Sequence, residues 1–219
     1  MSPFIVHTTP GSPFGRAVLI TLEEKGAPYR LAPVAPTTFR SAQHLNRHPF
    51  GRVPVLEHDG FLLYETQAIL RYLDRVLPNP SLTPADTKGA ARMDQVMNIN
   101  DWYLFQGVNT VIGFNRVVKP RLLGLPPDEA AIAAAMPKAH AVFDELARLL
   151  ASRLYFAGDA PSLADLLVAP QIDFFRDQPE WLPLTAEHPK LVARLERMNA
   201  RPSLKATTWQ RQEERALAA

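Results

Sequence analysis

The sequence predicts an α/β domain followed by an all-helical domain. Strand-like runs, rich in β-branched and aromatic residues, are confined to the first 64 residues. Beyond a proline-bearing stretch that starts near residue 79, the apolar residues recur only at helical spacing. We therefore expect an α/β domain at residues 1–78, a linker at residues 79–87 and a helical-bundle domain at residues 88–219.

The composition excludes several classes of function. The chain has 219 residues, of which 47% are hydrophobic and 21% charged, with a formal net charge of +2. Basic residues are scattered and no apolar run approaches the length of a membrane span. We therefore expect a cytoplasmic protein with neither nucleic acid nor a membrane as its partner. Because the chain contains no cysteine, any thiol chemistry must use a thiol that a ligand brings.

The N-terminal residues predict a βαβ unit. Phe4–His7 has the pattern of a short strand, and Ser12-Pro13 then opens a helix, with serine at the N-cap and proline at the first helical position. Tyr29–Val34 follows as a second strand, parallel to the first. Taken alone, Ser12 is either a helix cap or a functional hydroxyl, which could be a nucleophile or could activate a thiol.

A β-hairpin and a helix follow. Val53–Glu57 and Phe61–Tyr64 are apolar runs around an Asp-Gly turn, and a helix begins near Glu65 or Thr66. A cis bond between Val53 and Pro54 would turn the amide and carbonyl of Val53 outward, where they could pair with another peptide, but the sequence leaves the isomer open.

The start of this helix suits a carboxylate. At Glu65-Thr66 the unpaired helix amides, the helix dipole and a hydroxyl meet at one point, which favours an anionic ligand. The alternative is that Thr66 is an ordinary N-cap. A peptide-pairing edge and a carboxylate pocket so close together predict a site for a small acidic peptide.

These segments resemble a known family. PFGRVPVL at Pro49–Leu56, followed by YETQAILRYL at Tyr64–Leu73, is similar to the glutathione-binding core of the cytosolic glutathione transferases, in the style of bacterial, phi/theta-like, serine-type members. The resemblance covers nearly the whole chain and implies a thioredoxin-like first domain with glutathione as co-substrate. It also implies that Val53, before Pro54, pairs with the cysteinyl backbone and that Glu65 and Thr66 hold the γ-glutamyl end.

The same resemblance implies a role for Ser12. SPFGRAV at Ser12–Val18 resembles the first βα turn of serine-type members, in which the hydroxyl donates a hydrogen bond to the glutathione sulfur. If Ser12 is only a cap, Thr8 or Thr9 in the same loop is the next hydroxyl to test.

The glycine end of glutathione has two candidate partners. Arg40 falls on a basic position of the family pattern, and Arg52 is a second candidate, while each is equally open to a role as a solvated surface charge. Phe39 and His48 depart from the pattern. His44 and His48 are four residues apart, but Pro49 removes His48 from helical geometry, so we expect no metal site.

The C-terminal part is predicted to be helical throughout. A long helix spans Arg92 to Phe114, a capping box starts another at Ser162 and Asp165, and a last helix covers Lys205–Leu217. We expect Asp165 to hold a helix end rather than to do chemistry. Aromatic residues either line an apolar substrate pocket or simply pack in the core; these are Phe14, Trp102, Phe105 and Phe114.

The sequence therefore predicts a glutathione transferase that conjugates the glutathione thiolate to an apolar electrophile, as in detoxification, and that the family resemblance implies is a homodimer. Two alternatives stay open. One is another glutathione-dependent enzyme, a dehalogenase or a peroxidase. The other is a non-catalytic, transferase-like interaction module.

Overall fold

Two units make up the chain, and the computed structural model describes residues 3–217. One unit contains the residues up to Leu82 together with the C-terminal segment from Asn199 onward. The other is Thr83–Met198. The sequence predicts a helical domain over residues 88–219, whereas in the structure residues 199–217 group with the first unit. The domain boundaries themselves stay a prediction.

The strands and helices follow the predicted order, with strands confined to the N-terminal part. The strands are β1 Phe4–Thr8, β2 Tyr29–Pro33, β3 Val55–His58 and β4 Phe61–Tyr64. The α-helices are α1 Pro13–Glu24, α2 Ala42–Leu45, α3 Thr66–Val76, α4 Thr87–Ile99, α5 Lys119–Leu123, α6 Glu129–Leu150, α7 Leu163–Asp173, α8 Trp181–Thr185, α9 Pro189–Asn199, α10 Pro202–Ala206 and α11 Trp209–Leu217. A 3₁₀ turn at Pro36–Thr38 and a π-helical segment at Asn100–Val118 complete the set.

The sheet of the first unit has four strands in the order β2-β1-β3-β4. The predicted parallel pairing of β1 and β2 is confirmed, and β3 and β4 form the predicted hairpin. Its turn residues, Asp59 and Gly60, have φ of 50° and 76°, the pattern of a type I′ turn. The first hairpin strand begins at Val55 rather than at Val53, consistent with the missing amide hydrogen of Pro54.

Helices α1 and α3 bury their apolar faces in the core of this unit. Val18 and Leu22 of α1 and Ile69 and Leu73 of α3 are fully buried, as is Val55 of the sheet. Helix α2 is a single turn of four residues, Ala42–Leu45, and the side chain of Ser41 caps its start. The predicted single helix over Lys205–Leu217 is wrong, because the chain ends α10 at Ala206 and restarts as α11 at Trp209.

The second unit contains helices joined by turns and loops, and its β-structure is limited to an isolated bridge between Tyr155 and Gly158. The long helix predicted over Arg92 to Phe114 is only half right, since α4 is continued by the π-helical segment and then by α5. At its end the amide of Lys119 donates to the carbonyl of Phe114, five residues back. Such winding changes which side chains share a face, and helical periodicity could not reveal it. None of the described helices is long and apolar enough to cross a bilayer.

The predicted capping box at the start of α7 is confirmed. The Asp165 Oδ2 atom accepts from the amide and the hydroxyl of Ser162, at 2.9 and 2.8 Å. Its Oδ1 accepts from the amide of Phe156 at 3.1 Å and from Nε of Arg194 at 2.9 Å. Asp165 therefore binds groups from three segments of the unit, of which Arg194 was not predicted from the sequence.

Candidate functional site

Ser12 caps helix α1, as predicted. Its backbone is extended, with φ of −65° and ψ of 119°, and its Oγ accepts a hydrogen bond from the amide of Gly15 at 3.2 Å. The side chain is half-buried and has no second partner within residues 3–217. Because the oxygen accepts from Gly15, the hydroxyl hydrogen is free to donate to a ligand.

The two other hydroxyls of this loop are engaged or covered. Thr9 donates from Oγ1 to the carbonyl of Val34 at 2.7 Å. Thr8 is fully buried beneath Gly15, where a side chain at position 15 would overlap its hydroxyl, and Oγ1 has no hydrogen-bond partner among the described residues. Ser12 is therefore the hydroxyl of this loop that a ligand can reach.

The segment before β3 presents unpaired peptide groups. The Val53–Pro54 bond is cis, which answers the question that the sequence left open. Val53 is half-buried, and in the described part of the chain neither its amide nor its carbonyl has a backbone partner. Such a residue can add a short antiparallel pairing with an extended peptide.

His44 supports this segment, a role that the sequence analysis missed. Its Nε2 atom lies 2.9 Å from the carbonyl oxygen of Arg52, the residue before Val53, and the side chain is buried. The only signal in the sequence was its spacing from His48. The two rings stack with centroids 6.5 Å apart, and His48 packs in turn on Tyr64 at 4.7 Å. Burial, aided by the neighbouring His44 and Arg52, lowers the pKa of His48.

Arg40 and Arg52 flank the same turn. The turn residue Gly51 has φ of +61°, and a Cβ there would lie 2.7 Å from the carbonyl oxygen of Phe39 and 3.5 Å from Cδ of Arg40. Only glycine fits both this backbone conformation and this approach. Both arginines are exposed, and neither pairs with a carboxylate within the described residues. The turn thus carries two available guanidinium groups beside Val53.

The start of α3 is not capped by a side chain. Glu65 occupies the cap position with φ of 70° and ψ of 111°, and the first helical residue is Thr66. The interpretation of Thr66 as an ordinary N-cap is therefore wrong. A non-glycine residue in this region carries backbone strain of about 1–3 kcal/mol, which is typical of ligand-binding positions. With Thr66 buried and no capping side chain at Glu65, the amide of Thr66 at the start of α3 is available to a carboxylate.

Two models of known domain families match the chain. Residues 11–76 match the model of the glutathione S-transferase N-terminal domain, and residues 109–202 match that of the C-terminal domain. Glutathione S-transferase hmp2 of Hypomyces subiculosus is 36% identical over 159 residues, which are 70% of this chain and 74% of that protein. The chain belongs to the cytosolic glutathione S-transferase family.

Other relatives support a phi-like member. A probable glutathione S-transferase of Oryza sativa subsp. japonica is 29% identical over 209 residues, 90% of this chain and 94% of that protein. The crystal structure of glutathione transferase F7 from Populus trichocarpa superposes with a TM-score of 0.84 at 27% identity, covering 97% of this chain and 99% of that one. The predicted fold class, the enzyme class and glutathione as co-substrate are confirmed.

The aromatic residues predicted for the electrophile site of this transferase lie on separate units. Phe14 is half-buried on α1 of the first unit. In the second unit, Trp102 and Phe114 are 69% and 38% exposed and Phe105 is half-buried, all on the π-helical segment. Because Trp102 and Phe114 are exposed, the alternative that these two residues simply pack in the core is not supported. A role in binding the electrophile stays a prediction.

Proposed function

We propose that this glutathione transferase is a serine-type enzyme in which the Ser12 hydroxyl donates a hydrogen bond to the thiolate of bound glutathione. The observation that carries the proposal is the state of the loop hydroxyls: Ser12 is half-exposed with a free hydrogen, whereas Thr8 is buried and Thr9 donates to Val34. The amide of Gly15 polarises the Ser12 hydroxyl by donating to its oxygen, which makes it a stronger donor.

The energetics of thiol activation support this role. A free thiol has a pKa of about 8.5, and lowering it to about 6.5 requires roughly 2.7 kcal/mol. One charge-assisted hydrogen bond contributes roughly 1.5–3 kcal/mol, and the N-terminal end of α1 adds roughly 0.3–1 kcal/mol. These two contributions are sufficient without a general base.

The rest of the proposed site binds the tripeptide. The amide and carbonyl of Val53 pair with the cysteinyl backbone, and Glu65 with Thr66 holds the γ-glutamyl end at the uncapped start of α3. Arg40 and Arg52 attract the glycine carboxylate from either side of the Gly51 turn. The peptide is thus oriented by groups that stay unchanged in the reaction, while Ser12 acts on the reacting sulfur.

The proposed reaction is nucleophilic transfer. A carbon–sulfur bond forms between the thiolate and an electrophilic carbon, and the leaving group departs with its bonding electrons. Phe14, Trp102, Phe105 and Phe114 are proposed to bind the apolar part of the electrophile. We further propose a bacterial-type, cytoplasmic homodimer that acts in detoxification.

Ligand-dependent melting followed by a conjugation assay tests this function. Ligand at a hundred times its dissociation constant stabilises a protein by about 2.7 kcal/mol, which corresponds to a shift of roughly 5–11 °C for a chain of this size. We expect such a shift with S-methylglutathione and a much smaller one with cysteinylglycine, which lacks the γ-glutamyl group. Turnover of a chloronitrobenzene should follow.

The alternatives give different results. Binding without chloronitrobenzene turnover, but with reduction of an organic hydroperoxide or dehalogenation of a haloalkane, would assign the thiolate to another reaction. No melting shift at millimolar glutathione would overturn the proposal and favour the non-catalytic interaction module.

A further inference from the structure

The C-terminal segment of the chain returns to helix α1 and contacts it at both ends. Near the end of α1, Arg201 donates to both carboxylate oxygens of Glu24, at 2.6 and 2.7 Å, and Ser203 donates to one of them. Near its start, Arg16 donates from NH2 to the carbonyl of Leu204 at 3.3 Å. Helix α10 thus lies along the helix that Ser12 caps.

Helix α11 continues this contact to the loop that leads into Ser12. The amide of Gly11 donates to Oε1 of Gln212 at 3.2 Å, and the Gln212 Nε2 atom donates to the carbonyl of Thr207 at 2.8 Å. Gln212 is fully buried. Its amide therefore joins the residue before Ser12 to the break between α10 and α11.

Trp209 covers the same glycine. Gly11 has φ of +87°, and a Cβ at this position would overlap the indole ring of Trp209. The backbone of Gly11 is therefore held on one side by packing and through its amide by a hydrogen bond, both from residues about two hundred positions away in the sequence.

We infer that Gln212, assisted by Trp209, is a positioning residue for thiol activation, an inference that rests on the proposed role of Ser12. A hydrogen bond weakens steeply when its donor turns away from the acceptor. Since Gly11 and Ser12 are consecutive, a shift of the Gly11 backbone displaces Ser12 and changes the direction in which its hydroxyl can donate. Gln212 opposes that shift and so keeps the hydroxyl directed at the sulfur, without itself touching glutathione.

The decisive variant is Gln212→Met, which keeps the length and volume of the side chain and removes the acceptor. We expect the pKa of bound glutathione, followed by its thiolate absorbance, to rise by roughly half a unit to one unit, with a three- to tenfold lower kcat/KM at neutral pH that recovers as the pH is raised. The KM for glutathione should stay unchanged. Gln210→Met, on the exposed side of the same helix, is the matched control and should match wild type.

A double variant separates this inference from the proposed function. If both hold, Gln212→Met raises the thiolate pKa in the wild-type background but not in Ser12→Ala. If Ser12→Ala raises the pKa and Gln212→Met does not, only the positioning role is wrong. If neither variant changes it, the role of Ser12 is wrong and the inference falls with it.

A purely structural role for Gln212 would lower the melting temperature and leave the thiolate pKa at its wild-type value, which would overturn the inference. Should Gln212→Met fail to fold, Gln212→Asn gives the same test. Its amide is one methylene shorter and cannot reach Gly11 and Thr207 together. An unchanged thiolate pKa in a folded Gln212→Asn enzyme would equally overturn the positioning role.

Discussion

Asp165 and Arg194 form an ion pair that is completely removed from solvent. Nε of Arg194 lies 2.9 Å from Oδ1 of Asp165, and NH2 donates to the backbone carbonyl of the same residue at 3.1 Å. The two side chains are 0% and 1% exposed, and the guanidinium also stacks 4.1 Å above the ring of Phe156. Burial lowers the pKa of Arg194, and the charge of Asp165 opposes this effect.

Asp165→Ala should therefore destabilise the fold more than the loss of a helix cap does. A cap contributes about 1 kcal/mol, whereas removing one partner of a buried ion pair costs about 3–5 kcal/mol because the other charge stays buried. For this chain the melting temperature should fall by roughly 6–20 °C. Glu145→Ala, which breaks an exposed ion pair with Arg148, should change it little.

A double variant identifies the cause of this loss. Asp165→Ala combined with Arg194→Met should be less destabilised than the sum of the two single changes, because no charge is left buried alone. Normal melting of Asp165→Ala together with lost turnover would instead show that Asp165 takes part in the chemistry.

Ser12→Ala should raise the pKa of bound glutathione and leave its affinity almost unchanged. Losing a charge-assisted hydrogen bond of roughly 1.5–3 kcal/mol moves the pKa up by about one to two units. Conjugation at neutral pH should fall by roughly ten- to a hundredfold and recover partly at higher pH. Titration of the thiolate absorbance measures the pKa directly. Ser12→Thr retains the hydroxyl, so its pKa of bound glutathione should stay close to that of wild type. If the titration curves of wild type and Ser12→Ala coincide, Ser12 is only a helix cap.

Arg40→Ala and Arg52→Ala should each weaken glutathione binding without slowing the chemical step. Both guanidinium groups are exposed beside the Gly51 turn, so each attraction to the glycine carboxylate is screened and contributes about 1 kcal/mol. Steady-state kinetics should show a KM for glutathione about three- to tenfold higher, with kcat unchanged. Arg30→Ala removes an exposed arginine of strand β2 and is the matched control. If the KM for glutathione of either variant equals that of Arg30→Ala, the arginine removed in that variant does not bind the glycine carboxylate of glutathione.

The folded protein should lose stability as the pH falls below about 6.5. Burial lowers the pKa of His7 and of His48, so the folded chain keeps both rings neutral where the unfolded chain, with an ordinary pKa of about 6.5, takes up protons. Because the unfolded state then binds more protons, the free energy of unfolding decreases from about pH 6.5 down to the lower pKa of each folded ring.

Denaturant unfolding at about pH 7.5 and about pH 5.5 measures this loss, and both values lie above the range in which most carboxylates titrate. His48→Asn should reduce the difference in unfolding free energy between the two pH values. An equal difference in wild type and His48→Asn would show that His48 takes up its proton equally well in both states.

Much of the first unit could be predicted because its signals are local. The Asp-Gly turn, the serine before a proline at the start of α1 and the spacing of Ser162 and Asp165 each depend on backbone preferences or hydrogen bonds that span a few residues. The motif around Val53 indicated glutathione as the ligand in the same way, because its residues are adjacent in the sequence.

Only the tertiary structure decided which of these groups can act. Packing covers Thr8 with Gly15 and leaves Ser12 half-exposed, although the two hydroxyls are only four residues apart in the sequence. The sequence also could not predict that Glu65, rather than Thr66, occupies the N-cap position of α3. Glu65 has a positive φ there, which is unfavourable for a residue other than glycine.

Contacts between residues that are far apart in the sequence could not be predicted from any local pattern. Asp165 meets Arg194 across 29 residues, and Gly11 meets Gln212 across 201. Which distant side chains meet depends on how whole helices and strands pack around a shared core, and composition or periodicity carries no record of that pairing. The sequence by itself determined the order of strands and helices in the first 76 residues and the residue types at the starts of α1 and α3 that suit a glutathione site. The packing of α10 and α11 against α1 decided what supports the Ser12 loop.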